Sequence, residues 1–398
     1  MFRRGGYRRN FGQRFGLYRS DVRARLKRPA IWLHAVSVGE VAVALKLAKA
    51  IRKLDSGSRF VLTTTTTTGF AFAERNALPA MEVIYAPLDF WPAMRLAFAA
   101  IQPRKIALME AEVWPNLVAE AHARKIPVAL VNARLSPRSE RRFRRFRWLV
   151  APTFRLLDLV CVQEQTDKER WLALGVQPDR IIRTGSIKYD PVESKAGSQI
   201  GRAKPSVFNT ERPVLFGGST HPGEEEILAR AFLEIRTEFP TLLLFVAPRH
   251  TERVAEIRKK LESMSLRVAL CSQIPSEVVS DCLLLDKTGE LPAWYAVATV
   301  VFVGKSLTAR GGQNPVEPIL AGKPVIFGPH MKNFATLAAG LASNNAAIEV
   351  EDEGALKNAA VRLLRDPEER SRLVKNAERV LDTHRGATAQ TAKLLLDL

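Results

Sequence analysis

Short runs of Val, Ile, Leu and aromatic residues alternate with helical stretches of roughly 10–15 residues along almost the whole chain, and the alternation occurs twice. A strand that is apolar at nearly every position is covered on both faces, and one followed by a helix pairs in parallel with the next. The first series comprises 31–36, 59–62, 81–85, 105–109, 128–131, 159–163 and 181–184. A second comprises 214–217, 242–247, 282–285 and 300–304, and amphipathic helices at 353–365 and 367–381 finish it. Residues 191–210, with Pro, Gly, Ser and Lys and no periodicity, read as a linker. The pattern predicts α/β architecture with two doubly wound, Rossmann-like domains facing an interdomain cleft. Their expected limits are a basic segment at 1–28, an N-terminal domain at 29–190 and a C-terminal domain at 211–398.

A chain of 398 residues suits two such cores, and 46% hydrophobic with 25% charged residues is a globular composition. Cys161, Cys271 and Cys282 form no CxxC pair, so buried thiols are expected and a zinc site is not. The longest apolar run, Leu291–Val303, falls short of the roughly 20 residues that span a bilayer. Of the net charge of +19, segment 1–28 contributes +9 and segment 134–155 contributes +7. Two basic patches on a nearly neutral body point to an anionic partner at a defined surface: phosphorylated lipid, an anionic leaflet or nucleic acid. Taken as one helix, residues 138–149 place Phe143, Phe146 and Leu149 on one face among Arg141, Arg142, Arg144 and Arg145, a membrane-binding pattern. The same arginines would also be consistent with a solvated face.

In open parallel sheets ligands bind beyond the carboxyl ends of the strands, and the polar motifs fall there. After the first-series strands come Ser37–Glu40, the threonine tract Thr63–Thr68, expected to line a cleft with hydroxyls, and Glu110–Asn116. After the second-series strands come Gly218–Glu224, Pro248–His250, Thr288–Glu290 and Gly311–Glu317. Residues 298–330 read as strand, glycine turn at Gly311 and Gly312, helix and strand, with Pro315 in the first turn. A helix start after a glycine turn can hold a phosphate, and Glu317 can accept ribose hydroxyls. An ordinary βαβ connection needs the same glycines. There is no GxxxxGK[ST], no GxGxxG after a strand and no HExxH, so NTPase, dinucleotide and zinc-protease chemistry have no support.

HAVSVGE (34–40), TTTTTTG (63–69), EAEVWPN (110–116), NARLS (132–136), GSIKYD (185–190), GSTHPGEEE (218–226), APRHTER (247–253) and FVGKSLTARGGQNPVEP (302–318) occur in that order. In order and spacing the chain resembles the 3-deoxy-D-manno-octulosonic acid (Kdo) transferases of lipopolysaccharide synthesis. The resemblance implies a GT-B glycosyltransferase fold, CMP-Kdo as donor, no cofactor and no metal. It implies a phosphorylated lipid A precursor as acceptor, at the cytoplasmic face of the inner membrane, with peripheral attachment in this chain and no nucleic-acid partner. By motif, it assigns the catalytic base to Glu40 and transition-state stabilisation to Glu112 and Lys188. CMP contacts fall on Pro248, Arg249, Thr288, Gly289, Glu290, Asn314, Pro315, Val316 and Glu317. Lys305, where FVGGSL is the common family form, is a further candidate for the phosphate beside Gly311 and Gly312. The hydrophobic anchor with which members usually begin is not among these residues.

Alternatives remain open on the residues alone. Glu40 also suits a simple helix-capping role, and His221 and His250 suit structural roles. Another nucleotide-sugar enzyme, such as a UDP-sugar transferase or epimerase, would share the fold. A basic RNA-binding protein could use the arginine-rich segments.

Overall fold

The computed structural model describes residues 10–135, 137–190, 212–273, 280–287 and 289–398. The expected linker at 191–210 and the CMP candidate Thr288 lie outside the described residues.

The chain forms two compact units, one of residues 1–190 with 384–398 and one of residues 191–383. The first unit contains β1 (Ala30–Ala35), β2 (Phe60–Thr64), β3 (Met81–Tyr85), β4 (Pro103–Met109), β5 (Val128–Ala133), β6 (Leu159–Val162) and β7 (Ile181–Arg183). They form one parallel sheet in the order β3-β2-β1-β4-β5-β6-β7. Both faces are buried, which explains the near-continuous apolar strands. In β1, Trp32 packs with Ile106, Leu108 and Leu130 on one face, and Ile31, Leu33 and Ala35 pack with Ala107, Met109 and Val131 on the other. Trp32 is fully buried, so truncation to Ala should cost about 3–5 kcal/mol.

The second unit contains β8 (Val214–Thr220), β9 (Leu243–Pro248), β10 (Val268–Leu270), β11 (Cys282–Leu284), β12 (Val300–Val303), β13 (Val325–Phe327) and β14 (Ile348–Glu349). Its parallel sheet runs β10-β11-β9-β8-β12-β13-β14. In each sheet the winding direction reverses beside the first strand, between β1 and β4 and between β8 and β12. These reversals open the crevices in which doubly wound folds take ligands.

Three expectations are corrected. Residues 384–398 do not belong to the C-terminal unit: the helix Ala387–Asp397 packs on the helix Val38–Leu54, burying Ala392 and Leu395 beside the Val41–Ile51 face. The predicted helix over 138–149 is two helices, Pro137–Arg145 and Arg147–Phe154, broken at Phe146 (φ −110°, ψ 32°). Phe143 therefore turns inward onto Phe154 while Trp148 and Leu149 are exposed at 76% and 60%, and no single apolar stripe forms. The helix after Gly312 is only Val316–Leu320, preceded by Pro315 as its N-cap, too short for the dipole argument to carry weight.

Among the described residues no helix is long and apolar enough to cross a membrane.

Candidate functional site

At the β1–β4 reversal the chain leaves β1 through Val36 and enters the helix Val38–Leu54, with Ser37 as N-cap. Glu40, three residues on, folds back: its Oε2 accepts the Val36 N–H at 2.8 Å and its Oε1 accepts the Ser37 hydroxyl at 2.8 Å. A carboxylate in the first turn of a helix is ordinarily stabilised in its charged form. Here burial overrides that: it pushes the Glu40 carboxyl from 4.5 up to about 7, against the two hydrogen bonds and helped by the charges of Glu110 and Glu112. Glu40 thus caps its helix and is also set near neutrality.

Across the reversal, Glu110 follows β4 with φ 56°, a left-handed backbone uncommon outside glycine. Its Oε2 accepts Arg134 Nε at 2.9 Å, from the segment after β5. Glu112 accepts the Trp114 indole N–H at 3.0 Å, and that ring stands edge-on to the buried His34 with centroids 5.0 Å apart. His34 is held in turn by Thr63 Oγ1, 2.9 Å from its Nδ1. Lys188, in the turn after β7, has its pKa brought down to about 8 by burial and by Arg134, with Glu110 acting the other way. Glu40, Glu110, Glu112, Arg134 and Lys188 therefore form one electrostatically coupled group. Of these, Glu40, Glu112 and Lys188 were expected as catalytic residues; Arg134 was not assigned a role, although it stands in the NARLS motif.

Two members of the threonine tract brace the turn before Glu40. Thr64 and Thr66 hydroxyls donate to the Val36 carbonyl at 3.3 and 3.0 Å, and Thr66 caps the helix Thr67–Asn76. The tract clamps the turn that precedes Glu40.

At the β8–β12 reversal of the second unit, Glu224 is wholly buried and its carboxylate accepts four main-chain N–H groups, of His221, Lys305, Ser306 and Leu307, at 2.7–3.1 Å. This one side chain ties the turn after β8 to the turn after β12. Gly304 is required between them, because a Cβ there would lie 2.4 Å from the Ser219 carbonyl oxygen. Lys305 adopts φ 58°, the region in which a glycine carries no strain. Gly311 and Gly312 also have positive φ, 142° and 72°, so the turn itself is as expected.

Positive charge dominates this reversal. His221, 3.1 Å from Gln313 and edge-on to His250 at 5.7 Å, is held down at about pKa 4, first by burial and then by Lys305, His250, Arg253 and Arg249. Arg249 follows β9, is exposed, and donates its main-chain N–H to the Thr220 carbonyl. Glu317 accepts Asn314 Nδ2 at 3.1 Å; burial raises its pKa while Asn314 and Arg249 oppose the rise. Glu290 accepts the Trp294 indole at 3.5 Å, and Gly289 has φ 92° with open space where a Cβ would stand. Pro248 ends β9, and Pro315 and Val316 open the short helix. Such a field suits an anion with neighbouring hydroxyls. Among the described residues no three His, Cys, Asp or Glu side chains group to hold a metal.

Among the described residues, four of the ten non-glycine residues with positive φ, Glu110, Asn132, Ser219 and Lys305, sit at or just beyond the carboxyl ends of β4, β5, β8 and β12. Backbone strain held at those places is a common mark of functional sites. Arg141, Arg142, Arg144 and Arg145 are exposed on the helix Pro137–Arg145, where Arg144 reaches Glu140 at 3.4 Å and Arg142 and Arg145 lie over Phe143 and Phe146.

Residues 9–191 match the family described as 3-Deoxy-D-manno-octulosonic-acid transferase (kdotransferase). The 3-deoxy-D-manno-octulosonic acid transferase of Bordetella pertussis is 36% identical over 397 residues, covering 96% of this chain and 90% of that protein. The enzyme of the same name from Haemophilus influenzae is 32% identical over 394 residues, covering 98% and 91%. Among solved structures, UDP-GlcNAc 2-epimerase from Neisseria meningitidis, bound to UDP-GlcNAc, is 15% identical with a TM-score of 0.60, covering 93% of this chain and all of that one. At that identity the likeness concerns the fold, which is GT-B. Matched along nearly its whole length by two such enzymes, the chain belongs to the 3-deoxy-D-manno-octulosonic acid transferase family, a family of glycosyltransferases.

Proposed function

We propose that this protein transfers Kdo from CMP-Kdo to a primary hydroxyl of a phosphorylated lipid A precursor, with inversion at the anomeric carbon. The observation that carries the reading is the Glu40 carboxyl, buried at the β1–β4 reversal and lifted to about pKa 7. A general base works best when its pKa lies near the operating pH. Glu40 takes the hydroxyl proton as that oxygen forms its bond to the anomeric carbon; the bond to the donor phosphate breaks and its electron pair leaves with CMP. Lys188, still largely charged at pH 7, faces the sugar carboxylate, and Glu112 supports the charge that develops in the transition state. Arg249 and Lys305 neutralise the departing phosphate with positive charge fixed in place before it leaves. Glu317 and Asn314 hold the ribose hydroxyls; Pro248, Gly289, Glu290, Pro315 and Val316 shape the nucleotide pocket, with Thr288 and the Gly311–Gly312 turn beside them.

The acceptor is a membrane lipid, so the reading includes peripheral attachment at the cytoplasmic face of the inner membrane. Exposed Arg141, Arg142, Arg144 and Arg145, with Trp148 and Leu149 beside them, support it. Each arginine near an anionic leaflet is worth about 1 kcal/mol. Changing the four to Gln should lower co-sedimentation with anionic vesicles and leave CMP affinity alone; equal sedimentation of variant and parent would assign this helix to solvent.

The test of the function is incubation with CMP-Kdo and a phosphorylated acylated glucosamine disaccharide, followed by product mass. A gain of one or more Kdo masses is expected. Turnover of UDP-sugars with none of CMP-Kdo would replace the reading with that of another nucleotide-sugar enzyme.

A further inference from the structure

The turn that carries Lys188 has little regular structure, yet it is held on every side. Ser186 donates its main-chain N–H to His384 Nδ1 at 3.2 Å and its hydroxyl to Asn132 Oδ1 at 3.3 Å, and the same oxygen accepts the Ile187 N–H at 3.0 Å. The Asp190 carboxylate accepts the N–H groups of Gly386 and Thr388 at 3.0 and 2.8 Å, at the start of the helix Ala387–Asp397. From a third direction comes Lys46, whose ammonium donates to the Ile187 carbonyl at 2.8 Å and to the Asp190 carbonyl.

Lys46 belongs to the helix Val38–Leu54, six residues after Glu40, which is about 9 Å along the axis. That helix is buried between its sheet and the helix Ala387–Asp397, through Val41, Ala44, Leu45, Leu47, Ala48 and Ile51. Burial lowers the Lys46 pKa while Asp190 raises it. The ammonium is kept in a partly buried place by the two carbonyls it satisfies, which an apolar side chain of similar length would leave without a donor. What the ammonium adds is geometry: one cation joins two carbonyls of the Lys188 turn to the helix that presents Glu40.

We propose that Lys46 is a positioning residue, bridging Ile187 and Asp190 so that the turn bearing Lys188 and the helix bearing Glu40 keep one spacing. The inference rests on the roles given above to Glu40 and Lys188. Small displacements of reacting groups can lower rates about a hundredfold, which sets the scale of the effect.

The experiment compares Lys46→Met, Lys46→Arg and Lys188→Ala with the parent chain, by hydrogen exchange of the 184–190 amides and by steady-state Kdo transfer over a range of pH. In Lys46→Met, exchange at Ser186 and Ile187 should quicken and kcat should fall by about tenfold or more. KM for CMP-Kdo should change less than kcat, since the CMP part of the donor is assigned to the other unit and only the sugar carboxylate to Lys188. Lys188 is faced by Arg134 and Glu110 and neighboured by Tyr189; with its turn loosened and wetter, the alkaline limb of the rate profile should move upward. Lys46→Arg, able to donate to both carbonyls, should recover part of kcat. If Lys46→Met does not melt cooperatively, Lys46→Gln is held to the same limits. Unchanged exchange, or faster exchange with kcat kept while Lys188→Ala is inactive, would overturn the proposal. Full activity of Lys188→Ala would overturn the role of Lys188 and the positioning proposal with it, whereas absence of any Kdo transfer by the parent chain would overturn the function.

Discussion

In the first unit the proposed chemistry uses buried ionisable groups: Glu40 and Lys188 leave their ordinary pKa values from opposite sides, to about 7 and about 8. In the second unit the proposed chemistry uses converging cations, with Glu224 buried as a structural clamp and Arg249 exposed. Both sites occupy the same place in the same kind of sheet. The difference is what the two tasks require. Proton transfer needs a group poised between its two states, which burial supplies; binding a phosphate needs fixed positive charge, which survives exposure.

The largest effect is expected at Glu40. Glu40→Gln should lower turnover about 10²–10⁴-fold and leave CMP affinity in calorimetry unchanged. More than a tenth of the parent turnover would leave Glu40 only as a cap. Arg249→Ala should do the reverse, weakening CMP binding by roughly 1.5–3 kcal/mol through loss of a charge-assisted contact; unchanged affinity would remove it from the nucleotide site.

Glu40 also separates strain from capping. Between pH 4.5 and about 7 the folded chain holds a proton at Glu40 that the unfolded chain has released, so this group's contribution to stability falls as pH rises through that window. Glu40→Gln should therefore raise stability at pH 8 by on the order of 2 kcal/mol and give no such gain at pH 4. Denaturant unfolding at the two pH values reads this, and a loss of stability at pH 8 would mean the charged cap outweighs its burial. The smallest effect is expected at Lys305→Gly, which relieves a left-handed lysine and should add about 1 kcal/mol of stability while weakening donor binding. Tighter CMP binding in this variant would take Lys305 away from the phosphate.

Much of this was legible in the sequence, for identifiable reasons. Apolar strands buried on both faces fixed the parallel architecture, and the polar motifs marked strand ends because that is where a doubly wound sheet opens. Glu40, Glu112 and Lys188 came from their motifs; what the structure added was their electrostatic coupling through Glu110 and Arg134. The C-terminal helix was missed because its partner, the helix Val38–Leu54, lies some 340 residues earlier, and local periodicity carries no information about such a contact. The break in the arginine-rich helix at Phe146 was missed because the contact that goes with it, Phe143 on Phe154, exists only in the folded unit and leaves no mark in local periodicity. Lys46 had a faint signal, a lysine amid Ala44, Leu45, Leu47 and Ala48, but its carbonyl partners belong to a turn far along the chain.

The pH dependence of kcat/KM for Kdo transfer reads the proposed base and cation together, because it reports the ionisable groups of the free enzyme. Activity should rise as Glu40 loses its proton near pH 7 and fall as Lys188 loses its charge near pH 8, giving a narrow bell whose acid limb disappears in Glu40→Gln. An acid limb at pH 4–5 in the parent chain, the range of an ordinary solvated carboxylate, would contradict a buried base at the β1–β4 reversal.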